Sequence, residues 1–204
     1  MIDTAPQLAS FYRLVALDEI DSTNAEAQRR AAEGAPAGTL IRAVRQTAGR
    51  GRRGRAWQSP PGNLAFSLLL RPAMKAATAA TLGFVAGLAV AEAIDGLLPA
   101  GRSSRLKWPN DLLVDGRKLA GILLEAAAGG SGPVDHLVVG VGVNIVAHPD
   151  DLPYPATDLQ ACGGTADAAT VLAAFAGRFL PLYRRRSEER RVGKECRSRG
   201  SPYH

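Results

Sequence analysis

The sequence predicts one domain in which strands and helices share a single core, and three observations predict it. The 204-residue chain is 46% hydrophobic and 22% charged, an ordinary globular balance with enough apolar surface for one sizeable core. Short apolar and β-branched runs alternate with Ala-rich helical patterns. No internal repeat divides them.

Taken in order, residues 13–20 read as a strand that closes on the acidic pair Asp18-Glu19. A helix follows, with Ser22 or Thr23 as its cap, Glu26 three residues beyond Thr23 as in a capping box, and Gly34 as its stop. Residues 39–45 and 63–70 read as further strands, the second almost continuously apolar. Residues 73–98 are rich in Ala and Leu on every side, which suits one helix buried against a sheet. Two short strand pieces, 105–108 and 111–114, lead into a hairpin turning on Asp115-Gly116, with 119–125 as the return strand. Residues 135–145 give another apolar strand, and 165–183 carry a closing helical pattern after a Pro-rich connector. The domain is expected over 1–186. The last 18 residues lose apolar periodicity and are expected to be a polar, disordered or non-native tail.

No apolar run is expected to span a membrane, and residues 1–14 lack the pattern of a secretory signal, so a cytoplasmic protein is expected. Cys162 and Cys196 stand far apart, which supports neither a disulfide framework nor a zinc site. His136, His148 and His204 are scattered and read as solvated or loop residues with no ligand role. The net charge of +6 invites a nucleic-acid partner, but residues 187–204 carry five Lys/Arg and three Glu, leaving +4 for the remainder. That remainder concentrates in one loop.

The loop from Gln46 to Trp57 interleaves Arg50, Arg52, Arg53 and Arg55 with three glycines and closes on a Trp. Glycine lets backbone approach a ligand, guanidinium groups offer forked donors to phosphate or carboxylate, and an indole can stack on a base. Alone, such a loop reads better as a mobile solvated segment, or as an arginine-glycine element that binds nucleic acid. Its single occurrence favours one small anionic ligand over a long footprint. Lys107-Trp108-Pro109-Asn110-Asp111 gathers a cation, an aromatic and two polar groups at a strand junction, where Asn110 and Asp111 could equally satisfy a turn. Lys118 lies just past the hairpin, which brings it back toward Asp111, and Gly121 leaves room for a group to lie flat. Gly140-Val141-Gly142-Val143-Asn144 lacks the third glycine and following helix of a dinucleotide fingerprint. It reads as a strand whose glycines admit a neighbouring ligand while Asn144 supplies a hydrogen bond.

In this order, Asp21-Ser22-Thr23-Asn24, the 46–57 loop, Lys107–Asp111, Gly116–Glu125 and Gly140–Ile145 resemble the biotin protein ligase family over about residues 13–185. The resemblance implies an α+β catalytic domain: a mostly antiparallel mixed sheet backed by helices, related in shape to lipoate ligases and class II aminoacyl-tRNA synthetases. It implies activation of biotin by ATP with Mg²⁺ to biotinyl-5′-AMP, then transfer to a lysine of a biotin carboxyl carrier protein, the acetyl-CoA carboxylase subunit. By position, Ser22, Thr23, Asn24 and Gln46 resemble the residues that hold biotin's polar head, and Gly121 and Leu123 those lining its apolar slot. Arg50, Gly51 and Arg52 resemble the part of the loop that closes over biotin and adenylate. Arg53, Arg55, Trp57 and Asn144 resemble nucleotide contacts, with Trp57 stacking adenine. Lys118, Arg52 and Asp111 carry the expected catalytic roles, and the metal ligands stay open.

Bifunctional members carry a DNA-reading domain before the catalytic pattern, and members usually end in a small SH3-like domain. Neither is expected here, and neither is a repressor role, a nucleic-acid partner or a membrane partner; a homodimer stays open. A lipoate or octanoate ligase or transferase of the same fold is the alternative, against which the polar Ser22-Thr23-Asn24 group favours a ureido head.

Overall fold

The computed structural model describes residues 6–127, 132–150 and 153–198. Seven strands form one sheet: β1 (Arg13–Ile20), β2 (Thr39–Gln46), β3 (Leu64–Leu70), β4 (Ser104–Lys107), β5 (Asp111–Val114), β6 (Arg117–Ala127) and β7 (His136–Val143), in the order β1-β2-β3-β7-β6-β5-β4. Only β1 and β2 pair in parallel, because helix α1 (Thr23–Ala32) carries the chain back between them. The other five pairings are antiparallel, as expected of a mostly antiparallel mixed sheet.

The central strands bury both faces. Along β2 and β3, Leu40, Leu64, Phe66, Leu68 and Leu70 face the larger core, against α3 (Leu82–Asp95) and α4 (Ala168–Ser198). Ile41 and Leu69 point the other way, with Val138 of β7, onto Ala27 and Ala31 of α1. This period-two division explains why β3 and β7 read as continuous apolar runs. Tyr12 ties the chain start to α4 by donating from its hydroxyl to Ala176 O at 2.9 Å; burial pushes its phenol above the ordinary value, against the opposing charge of Arg184.

Several expectations need correction. Ser22 alone caps α1, accepting from Ala25 N at 3.4 Å. Glu26 then falls one residue too late for a capping box, and its carboxylate instead takes Arg29 and Arg30 at 2.9 and 2.7 Å. At the other end Gly34, at φ +87°, completes a reverse turn in which Gly34 N and Ala35 N donate to Ala31 O and Arg30 O. The 73–98 helix is two helices, α2 (Ala76–Ala79) and α3, broken at Ala80-Thr81. By length and composition the segment Ala76–Asp95 is apolar enough to cross a membrane, which the expectation overlooked; here Leu82, Ala86, Ala89, Val90 and Ile94 are buried in the core.

The Asp115-Gly116 hairpin forms as expected, both residues taking positive φ (50° and 77°). α4 begins at Ala168 and not at residue 165, because Asp167 accepts from Thr170 N at 2.8 Å. It also runs on through Ser198, so residues 187–198 are helical where an irregular tail was expected; residues 199–204 lie outside the described ones. His136 is buried, not solvated, its ring nitrogens facing Asp135 Oδ2 at 2.7 Å and Gln28 Oε1. His148 is half-buried against Asp158 Oδ2 at 2.6 Å, and His204 is outside the described residues.

Candidate functional site

On the α1 side of the sheet, the middle strands are almost bare of side chains. Gly142 pairs with Gly121 on one side and Ala65 on the other, and Gly140 pairs with Leu123 and Ser67. Directly paired residues project from the same face, so these two rows form a floor of backbone and small groups, with Leu123 at its edge. Over it lies a cleft of ≈ 450 Å³, walled by the start of α1, roofed by the arginine loop and closed by the 107–111 turn.

At one end the cleft is polar. Thr23 offers both its backbone N–H and its hydroxyl to Gln46 Oε1, at 2.8 and 3.1 Å, while Gln46 Nε2 donates to Ser59 Oγ at 3.1 Å. Ser67 Oγ donates to Asn24 Oδ1 at 2.5 Å and lies 2.8 Å from Thr23 Oγ1. Asn24 Nδ2 in turn donates to Glu125 Oε2 at 2.8 Å. Ser22, Thr23, Asn24 and Ser67 are all buried, so each hydrogen bond here orders a donor or acceptor that water does not reach. Asn24 also covers Gly140, where a Cβ would come within 2.1 Å of its Oδ1.

The roof is folded, not splayed. Arg50 bridges to Ala56, Gly51 N donates to Arg55 O at 2.7 Å, and Trp57 N to Gly49 O at 2.9 Å; Arg52–Gly54 make one tight 3-10 turn. Gly49 is required by crowding, since a Cβ there would stand 2.4 Å from Trp57 O. Arg50 reaches Glu125 Oε2 at 3.3 Å and Arg52 reaches Asn110 Oδ1 at 3.3 Å. Trp57 comes down on the floor: a Cβ on Gly142 would lie 2.2 Å from its Cε2, and one on Gly121 3.2 Å from its Cζ3.

Beside Trp57 stands Lys118. Its ammonium pairs with Asp111 at 2.8 Å and sits 5.5 and 5.3 Å from the centroids of Trp57 and Tyr154. Its backbone is pinned on both sides by the Pro-rich connector, with Lys118 N donating to Pro155 O and Thr157 N to Lys118 O, each at 2.9 Å. An ammonium held between a carboxylate and two aromatic faces keeps its charge in a fixed place.

Every expected site residue lines this cleft except one. Asn144 is buried away from it, donating from Nδ2 to Thr157 O at 3.1 Å and from its backbone N to Leu119 O at 2.9 Å. Strand alternation would have put it beside Gly142, but β7 ends at Val143, and Asn63 gathers the next turn by accepting from Ile145 N, Val146 N and Ala147 N. Gly140 and Gly142, expected to admit a ligand, line the cleft, as does Tyr154, which had no role from sequence; Ser67 and Glu125, also unassigned, adjoin it through their hydrogen bonds to Asn24. Among the described residues no group of three His, Cys, Asp or Glu could hold a metal. The carboxylate that lines the cleft, Asp111, and the one beside it, Glu125, already face Lys118 and Arg50.

A sequence profile of the biotin/lipoate A/B protein ligase family matches residues 16–144, a span holding the floor, the roof and Lys118. The chain belongs to this family. Among relatives in the biotin/lipoate ligase family, the biotin–[acetyl-CoA-carboxylase] ligase of Paracoccus denitrificans is 49% identical over 136 residues, covering 66% of this chain and 55% of its own length. The bifunctional ligase/repressor BirA of Bacillus subtilis is 38% identical over 165 residues, covering 78% of this chain and 50% of that protein. The chain thus spans about half the length of these curated relatives. The biotin protein ligase of Aquifex aeolicus, solved in complex with biotin and ATP, superposes with a TM-score of 0.70 at 34% identity, covering 83% of this chain and 69% of that one. That of Leishmania major, solved with biotinyl-5-AMP, gives 0.70 at 27% identity, covering 84% and 75%.

Proposed function

We propose that this domain activates biotin with ATP and passes the biotinyl group to a lysine of a biotin carboxyl carrier protein. The observation that carries the reading is convergence. A polar pocket, a glycine-rich floor, a guanidinium roof and a fixed ammonium come from the start of α1, the 46–57 segment and three strands of the sheet, and share one cleft. Ser22, Thr23, Asn24 and Gln46 would take the ureido head, whose paired N–H and C=O groups match the donors and acceptors at that end. Gly121 and Leu123 would flank the apolar ring and chain.

In the first step a biotin carboxylate oxygen bonds to the α-phosphorus of ATP, the bond to the β-phosphate breaks, and pyrophosphate leaves. Arg50, Arg52 and Lys118 would meet the charge that develops there, with Gly51 letting the roof close down, so their work would be electrostatic stabilisation. Arg53 and Arg55 extend the cationic roof along the nucleotide, and Trp57 offers a face on which the purine stacks. In the second step the acceptor amine bonds to the acyl carbon, the bond to AMP breaks, and AMP leaves. Asp111 is placed to accept the proton the amine sheds. With both carboxylates paired to cations, the cleft does not fit a resident metal site. A magnesium ion would instead arrive on the nucleotide's phosphates.

Relatives named biotin–[acetyl-CoA-carboxylase] ligase support the acceptor class. Incubation with biotin, ATP and a carrier domain, followed by intact-mass measurement, should show the carrier gaining one biotinyl group. A carrier of unchanged mass, with lipoate and not biotin raising the melting temperature of the ligase, would replace this reading with lipoate activation.

A further inference from the structure

We propose that Glu125 is a positioning residue that couples the polar pocket at the start of α1 to the arginine loop. One of its oxygens, Oε2, accepts from Asn24 Nδ2 at 2.8 Å and from the Arg50 guanidinium at 3.3 Å. These two partners belong to different parts of the machinery: Asn24 sits in the polar pocket, and Arg50 is the first arginine of the roof. From Glu125 the hydrogen bonds run without a break through Asn24, Ser67, Thr23 and Gln46 to Ser59, so the network touches the 46–59 segment at its start, its middle and its end. The pocket and the roof are therefore one hydrogen-bonded unit, and Glu125 is its only anionic member.

The geometry gives the coupling a direction. At 3.3 Å the Arg50 contact is long for a charge-assisted bond, whose usual length is about 2.7–2.9 Å, while Asn24 holds the same oxygen more closely. A ligand that hydrogen-bonds Asn24 competes for that amide and leaves Oε2 to Arg50, which tightens the roof. Filling the pocket thus closes the loop. The carboxylate need touch neither ligand nor reacting atoms, which distinguishes it from Lys118 and Arg52.

Limited trypsin digestion read by intact mass tests this, since cleavage after Arg50, Arg52, Arg53 or Arg55 reports loop opening directly. Without ligand, Glu125→Gln should be cut in the loop roughly three-fold faster than the wild type, the factor expected when one half-exposed ion pair is lost. Cleavage elsewhere and the melting temperature should be unchanged. Arg50→Gln removes the same contact from the other side and should give the same acceleration at the remaining loop arginines. Biotin should slow loop cleavage in the wild type and leave Glu125→Gln unprotected even though the variant still shows a biotin-induced thermal shift. Equal ligand-free rates, or full biotin protection of Glu125→Gln, would overturn the coupling. Only the choice of biotin rests on the proposed function: if biotin neither shifts nor protects the wild type, that reading fails while the ligand-free comparison still decides the latch.

Discussion

Lys118 illustrates how much a single side chain draws on distant parts of the chain. Its neighbours Asp111, Trp57 and Tyr154 come from the start of a strand, a loop and a connector. Lys118→Ala should cut the rate of biotin-dependent pyrophosphate release by about a hundred-fold, the size typical of losing one preorganised electrostatic group, measured by pyrophosphate exchange. Arg52→Ala should leave adenylate formation detectable but let the intermediate escape roughly ten-fold faster, as expected for one lost charge-assisted contact. Hydrolysis of the activated acid without acceptor measures this. Gly142→Ala drives a Cβ to within 2.2 Å of the indole, so Trp57 must lift off the floor. The KM for ATP should rise more than that for biotin, and the tryptophan fluorescence should change. The residues whose chemistry is written in their type (the arginines, Lys118, the Ser22-Thr23-Asn24 run) were legible from sequence. Glu125 and Ser67 were not, because their value comes only from strand register, which sets each beside Asn24.

At the scale of elements, α1 is both a structural and a site element, and its entrance can be probed separately. Ser22→Ala should destabilise the fold by about 1 kcal/mol, the usual cost of an N-cap, seen in urea denaturation. Just before it, the Arg29 guanidinium and the Ser22 backbone N–H hold the Asp21 carboxyl at about 2, below its ordinary range. A depressed carboxyl contributes stability that is complete above its unfolded pKa near 4 and disappears as pH falls through its folded value. Asp21→Asn should therefore be less stable than the wild type at pH 5, with the gap closing between pH 4 and 2; because the pair is half-exposed, salt should shrink it as well. Strand positions were readable because apolar period and Gly or Pro punctuation agree along the chain. The break between α2 and α3 was not, since Ala79-Ala80-Thr81 carries no helix-breaking residue; at the break Thr81 Oγ1 donates to Thr78 O and Arg186, distant in sequence, donates to both residues.

For the whole molecule, the organisation rests on one sheet whose two faces have different duties. The α3–α4 face carries the large core and the α1 face carries the cleft. Among the described side chains of α4 the last deeply buried ones are Phe179 and Leu180, and Arg186 still donates to Thr78 O at 3.2 Å at the end of α2. A chain ending after Arg186 keeps these contacts and should accordingly melt within a few degrees of the full length; scanning calorimetry would show it. Helix α4 beyond that point escaped the sequence reading because a polar helix has no apolar stripe to announce it.

The bare glycine rows have a consequence for selectivity. A surface made of main chain has no rotamers to adjust, and its height is fixed by the spacing of hydrogen-bonded strands. A compound thicker than the gap cannot press downward; it can only prop the lid open. Such analogues should be rejected through leakage of their activated form more than through weak capture, whereas changes to a compound's in-plane outline would be judged at the rim.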